Sequence, residues 1–217
     1  MDFARLRSVT PLSRGFGCDR GRPIDRHYIE GFLALHAADV HGRVLEFGDD
    51  AYTRRFGADR LTQSDVLHAA KGNPRATIVA DIQHPNALDV AKFDCIICTQ
   101  VLMYVYDTRA ALRTLHRALA PGGVLLATFP GISQLSPHDM EAWGEFWRFT
   151  SLSAACLFGE TFGADNVCVE TCGNVLTATA FLHGVTVEEL TLEELDHRDR
   201  DYEVIVAVRA VKNGAPE

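Results

Sequence analysis

Acidic residues stand where successive strand-like runs of the chain end. Asp49 and Asp50 follow VLEFG, Asp65 follows RLTQS and Asp81 follows TIVA; Glu46 and Gly48 belong to the first of these ends, and Thr99 and Gln100 close a fourth run, FDCIIC. Carboxylates so placed can accept hydrogen bonds from the hydroxyls of a bound ligand. Asp65 lies seventeen positions after Gly48, the spacing of an acid that ends a second strand and takes both ribose hydroxyls of an adenosine. A pyrophosphate would be repelled by so many carboxylates, with no Lys or Arg forced into the turn to offset them. A cationic adenosine derivative would not. Any one Asp could instead cap a helix or sit in a solvated loop, but three successive strand ends are harder to explain that way.

These side chains converge only if the runs are strands of one sheet. RVLEF (43–47) is the first; a second ends near Ser64 and Asp65, a third near Asp81, a fourth lies in KFDCIICTQVL and a fifth is GGVLLATFP (122–130). Short, continuous apolar runs mark strands buried on both faces of a parallel sheet. Helical patterns separate them. Ile24, Tyr28, Phe32 and Leu35 share one helical spacing, Ala110, Leu112, Leu115 and Leu119 another that Pro121-Gly122-Gly123 stops, and Thr150-Ser151 begins a third. NVCVETC (166–172) and YEVIVAVRAV (202–211) add two strands around a helical insertion. The predicted fold class is α/β, a doubly wound, mostly parallel seven-stranded sheet with helices on both faces. In such a sheet the ligand sits beyond the carboxyl ends of the strands, where strand order reverses.

Composition bounds the partners. The 217 residues are 47% hydrophobic and 23% charged, enough for a sizeable core. One domain over 1–217 is expected, with 1–40 an N-terminal lid or helix segment and 131–150 an acceptor-side aromatic segment. A net charge of −8 argues against a nucleic-acid partner, which would draw on clustered Lys and Arg. No apolar stretch has the length of a membrane span or the form of a signal sequence, so a cytoplasmic protein is expected. The six cysteines are scattered and read as free thiols. Cys95 and Cys98 point to opposite faces of a strand, so they read as small core residues, and no metal site is expected.

VLEFGDD, SDV, VADI, FDCIICTQVLMYVYD and LHRALAPGGVLLATFPG occur in the order of the motifs of the class I S-adenosylmethionine-dependent methyltransferases, and the chain resembles that family, in its type 11-like branch, from Ile24 to Val211. The resemblance implies a Rossmann-like sheet whose last strand is antiparallel, an enzyme, and S-adenosylmethionine as cofactor. It implies that Glu46, Gly48 and Asp49 lie against the methionine and ribose portions, that Asp65 is the ribose ligand, that Asp81 stands beside the adenine amine, and that Thr99 and Gln100 line the floor near the reactive methyl. The sequence departs from the family in the turn. The usual G-x-G-x-G is replaced by Gly48-Asp49-Asp50-Ala51-Tyr52, with the next glycine at Gly57. Either the turn takes another path that leaves room, with Tyr52 at the cofactor rim, or binding has been lost.

Methyl transfer to a hydroxyl needs an in-line nucleophile, exclusion of water and a base. His138, Asp139 beside it and His183 are the candidate bases. Tyr28, Tyr104, Trp143, Trp147 and Arg148 are the candidate substrate-binding residues, aromatic faces and a guanidinium being suited to a sugar ring or a carboxylate. The segments DRGRPIDRHYIEGFL and DMEAWGEFWRFT also resemble methyltransferase domains that accompany bacterial glycosyltransferases. The expected partner is therefore a small-molecule acceptor, a sugar or glycoside, and the assembly considered is a homodimer. Two other readings compete: a non-catalytic partner of a glycosyltransferase, motivated by the missing glycines, and a nicotinamide-dependent oxidoreductase, for which the acidic turn is a poor pyrophosphate cradle.

Overall fold

Apolar residues alternate between the faces of the central strands, so one sheet carries two cores. A computed structural model of the chain describes residues 8–214. Strands β1 (Gly42–Phe47), β2 (Leu61–His68), β3 (Ile78–Val79), β4 (Phe93–Thr99), β5 (Leu119–Pro130), β6 (Val167–Cys172) and β7 (Ile205–Val211) form one seven-stranded sheet in the order β3-β2-β1-β4-β5-β7-β6. All run parallel except β7, which is antiparallel to both β5 and β6. The fold class read from the sequence is the one observed. Strand order reverses between β1 and β4, which opens a crevice at their carboxyl ends.

Leu45, Ile96, Leu125 and Val208 face one core, with Leu112 and Leu115 of α3 (Thr108–Ala118) and Phe158 of α5 (Ser151–Phe162) packed against them. Val44, Cys95, Ile97 and Leu126 face the other, beneath Ile29, Phe32 and Leu33 of α1 (Ile24–Leu35) and beside Tyr52 and Phe56 of α2 (Ala51–Gly57). Full burial of each such Leu, Ile or Phe contributes about 1.5–3 kcal/mol. A third cluster joins the first turns of α1, through Ile24 and Tyr28, to α6 (Val175–His183) and α7 (Leu192–Asp196). The short helix α4 (Pro137–Ala142) starts at Ser136, whose hydroxyl accepts the Asp139 N–H at 3.2 Å. Of the two N-cap candidates, Thr150 is the cap, and with Ser153 it closes a reciprocal capping box at the start of α5. Among the described residues no helix is long and apolar enough to cross a membrane.

Two local expectations need correction. The second strand does not end at Asp65 but runs on to His68, because the Asp65 carboxylate is satisfied inside the sheet by Arg43 Nε at 2.7 Å and Thr77 Oγ1 at 2.9 Å. Leu35 is 67% exposed, and the buried stripe of α1 is Ile24, Tyr28, Ile29, Phe32 and Leu33. The segment before α1 packs on the α6 side of the fold, with Leu12 N–H donating to the His183 carbonyl and Arg20 paired with Glu189.

Candidate active site

A cleft of about 530 Å³ opens at the carboxyl ends of β1 to β4. Each strand delivers residues to it: Phe47 and Gly48 from β1, Leu67 and His68 from β2, Asp81 and Ile82 just beyond β3, Thr99 and Gln100 from β4. Tyr104 follows on a single 3₁₀ turn, Asp139 and Trp143 close one side from α4 and the residue after it, and Arg26 reaches in from α1.

The glycine-poor turn leaves this cleft open. Gly48 has φ +83°, and a Cβ built on it would meet nothing within 4 Å, so the backbone borders free space in a conformation that glycine alone adopts without strain. The turn is held from behind, with Gly48 N–H donating to the Leu67 carbonyl at 3.0 Å and Asn73 Nδ2 donating to the Gly48 carbonyl at 2.6 Å. The two acids that follow Gly48 point elsewhere. Asp49 Oδ1 accepts the Ala51 N–H at 2.9 Å, and Asp50 Oδ2 accepts Arg54 Nε at 2.6 Å and the Ser64 hydroxyl at 3.3 Å.

Glu46 is also turned away from the cleft. Its carboxylate is buried and accepts the N–H groups of Tyr52 at 3.2 Å and Thr53 at 2.7 Å, so it caps the first turn of α2. Burial pushes this carboxyl up to about 7, while the bonds from Thr53 and Tyr52 act the other way. Tyr52 lies over Phe56 and accepts a hydrogen bond at its hydroxyl from Arg26 Nη1 at 2.8 Å. It touches the cleft only through that arginine.

At the floor, Gln100 has φ +54°, a left-handed conformation that costs a non-glycine residue on the order of 1–3 kcal/mol. Its N–H donates to the Thr128 carbonyl at 2.9 Å and its Nε2 to Thr128 Oγ1 at 3.4 Å, which fixes the amide beside Thr99. Asp81 accepts the Gln83 N–H at 2.9 Å. Across the cleft the ring of Trp143, 42% exposed, meets His68 edge-on at 5.3 Å. Tyr104 Oη donates to Asp139 Oδ2 at 3.3 Å, and burial, reinforced by the Asp139 charge, pushes the phenol above its usual range. It therefore stays a neutral donor.

Of the residues singled out in the sequence, Gly48, Asp81, Thr99, Gln100, Tyr104, Asp139 and Trp143 meet in this cleft. The others do not. Asp65 is 4% exposed within β2, so the strand-end position expected of it belongs to His68. Tyr28 is buried and donates to the Leu195 carbonyl at 2.9 Å. His138 and His183 border a separate cavity of about 580 Å³ with Arg14 and Gln134. Trp147 donates to the Val105 carbonyl at 3.0 Å and lies with Arg148 on another surface cleft, where the guanidinium pairs with Glu145 at 2.6 Å and with none of the strand-end acids. Sequence reasoning missed His68 and Arg26. The apolar Val66-Leu67 after Asp65 was the signal that β2 continues, and Arg26 follows from the α1 spacing, two residues short of Tyr28 on a different helical face.

Residues 31–127 match a family described as a methyltransferase domain. No curated protein matches the chain. Among solved structures, the chain is similar to the N-methyltransferase NodS from Bradyrhizobium japonicum, which was crystallised with S-adenosyl-L-homocysteine, at 17% identity and a TM-score of 0.54 over 96% of this chain and 95% of that one. It is similar to an S-adenosylmethionine-dependent methyltransferase from Mesorhizobium loti at 17% identity and a TM-score of 0.54, covering 87% of this chain and 98% of that one. A third, from Archaeoglobus fulgidus, has 12% identity and a TM-score of 0.55 over 86% and 94%. At such identities the likeness concerns the fold. The methyltransferase-domain match runs from within α1 to within β5, and the cleft at the switch point lies at the carboxyl ends of the strands it contains.

Proposed function

We propose that the protein methylates a hydroxyl of a small molecule of the sugar or glycosylated natural product class. The observation that carries this reading is the open cleft at the switch point, where Gly48, Asp81, Thr99 and Gln100 stand together with the exposed face of Trp143. The residues suit the cofactor. The space over Gly48 admits close approach of a ligand, the apolar side chains of Phe47, Leu67 and Ile82 suit an adenine ring, and the Asp81 carboxylate in the same cleft suits its amine. His68 takes the ribose position at the end of β2. Arg26, held by Tyr52, suits the cofactor's carboxylate. When bound, S-adenosylmethionine supplies a methyl group activated on a sulfonium sulfur.

The chain's own part is orientation and desolvation. Thr99 and Gln100 fix the floor of the reaction zone, and Trp143 offers a ring face to an acceptor and shields it from water. The glycine-poor turn would favour the non-catalytic alternative if its side chains filled the cleft; Asp49, Asp50 and Tyr52 are instead engaged in local bonds. Calorimetry with S-adenosylhomocysteine, followed by transfer of labelled methyl to a panel of sugars, glycosides and amines, tests the reading. Micromolar binding with transfer to glycoside hydroxyls is the expected result. A folded protein without binding, or transfer confined to amines, would reject it.

A further inference from the structure

Of the three candidate bases, His138 and His183 border a different cavity and Asp139 alone lines the cleft. What the cleft holds in their place is a carboxylate with a phenol on it. Tyr104 and Asp139 come from different parts of the chain, the turn after β4 and α4, and both line the cleft that contains Thr99, Gln100 and Trp143. Tyr104 Oη donates to Asp139 Oδ2 at 3.3 Å. Asp139 Oδ1 has no protein partner among the described residues, so one oxygen is held and the other is left for a ligand. The backbone also fixes the group: the Asp139 N–H is bonded to Ser136 Oγ at 3.2 Å, and its carbonyl accepts from Trp143 N–H at 2.8 Å. The nearby charged groups make other contacts, Arg26 donating to the Tyr52 hydroxyl. Glu145 pairs with Arg148, His68 packs on Trp143, and Asp81 accepts from Gln83.

We propose that Asp139, oriented by Tyr104, is the proton acceptor of the reaction, and that the acceptor substrate is a neutral hydroxyl compound rather than an amine. The inference rests on the methyl-transfer reading above. As the acceptor oxygen forms its bond to the methyl carbon, the carbon–sulfur bond breaks and its electron pair stays on sulfur. That leaves a neutral thioether, and the hydroxyl proton passes to Asp139 Oδ1 and from there to solvent. The same carboxylate decides the substrate class. Beside an anion an ammonium is stabilised in its protonated form, which has no lone pair to attack with, whereas a neutral hydroxyl hydrogen-bonded to a carboxylate becomes the better nucleophile. Tyr104 stays protonated and donates to the same group. It thereby keeps the second oxygen of Asp139 aimed into the cleft.

The test uses the full chain as wild type, Asp139→Asn, Tyr104→Phe and His138→Gln. Binding of S-adenosylhomocysteine and thermal unfolding are measured first, then methyl transfer to methyl β-glucopyranoside, to 4-nitrophenol, whose hydroxyl is already ionised at pH 8, and to benzylamine. Asp139→Asn should keep its fold and bind the thioether within about threefold of wild type. Its kcat on the glucoside should fall about 100-fold or more, the scale of a lost general base, with KM changed only a few-fold. On 4-nitrophenol the loss should shrink to below about fivefold, because no proton remains to be taken; a merely structural role would depress both acceptors alike. Tyr104→Phe should lose about tenfold on the glucoside, and His138→Gln nothing. Equal losses on both acceptors, a parallel loss of thioether binding in Asp139→Asn, or transfer to benzylamine with none to any hydroxyl would overturn the proposal. A wild-type protein that binds no S-adenosylhomocysteine would instead reject the methyl-transfer reading on which it rests.

Discussion

Arg26 and Tyr52 are joined by a 2.8 Å hydrogen bond from the guanidinium to the phenol, and this bond ties α1 to α2 at the edge of the cleft. Tyr52 stands four residues after Gly48, where a G-x-G-x-G turn would have its last glycine. Its ring is packed over Phe56, and its hydroxyl fixes the one arginine that lines the cleft. The cleft edge is thus braced by a bond between side chains of two helices.

Arg26→Ala should weaken binding of S-adenosylhomocysteine by about ten- to a hundredfold, the range of a charge-assisted hydrogen bond worth about 1.5–3 kcal/mol. It should leave the affinity for methylthioadenosine, which lacks the amino-acid end, unchanged. Tyr52→Phe should show a milder form of the same selectivity. Calorimetry with the two ligands reads both effects, and equal losses for both would remove Arg26 from the carboxylate.

Asp65→Ala should destabilise the protein without touching the cofactor. Its carboxylate is buried and pairs with Arg43 at 2.7 Å, and Thr77 and Gln63 also donate to it. Removing one partner of such a pair leaves a half-buried charge and costs up to about 3–5 kcal/mol. Urea unfolding should report that loss, while the affinity for S-adenosylhomocysteine in the folded fraction stays within about threefold. A specific loss of binding at unchanged stability would return Asp65 to the role its spacing suggested.

The sheet was legible because burial on both faces writes itself as continuous apolar runs, and RVLEF, FDCIIC and GGVLLATFP each lie inside an observed strand. The end of β2 was not, because an acid inside a strand reads as an acid beyond it unless its partner is known, and Arg43 is twenty-two residues away in the chain. Gly48, Asp81, Thr99 and Gln100 reached the cleft because strand ends fix them directly. The sequence left three candidate bases for a related reason: in SPHDM the side chains of His138 and Asp139 leave a short helix in different directions, so adjacent residues face different cavities. No spacing rule separates them before the register of α4 is known.

Trp143 and Trp147 are the only tryptophans, and they stand on different clefts. Fluorescence therefore separates them. Addition of S-adenosylhomocysteine should change the emission of Trp147→Phe, which retains Trp143, and leave that of Trp143→Phe nearly constant. The reverse pattern would move the ligand out of the switch-point cleft.

Glu46 makes stability depend on pH in an unusual direction. Burial raises its carboxyl from 4.5 to about 7, so between those values the folded protein holds a proton that the unfolded chain has released. The contribution is fully present below about pH 4.5 and is lost as pH rises to about 7, on the order of 3 kcal/mol over that window. Glu46→Gln removes the titration. The difference in urea midpoint between wild type and variant should therefore fall steadily from pH 4.5 to 7 and flatten above it, whereas other titrating groups cancel between the two proteins. Because Glu46 bonds to the N–H groups of Tyr52 and Thr53 and not to the cleft, affinity for S-adenosylhomocysteine should change less than about threefold in the variant. A loss beyond tenfold at matched stability would mean that the carboxylate turns into the cleft when ligand binds.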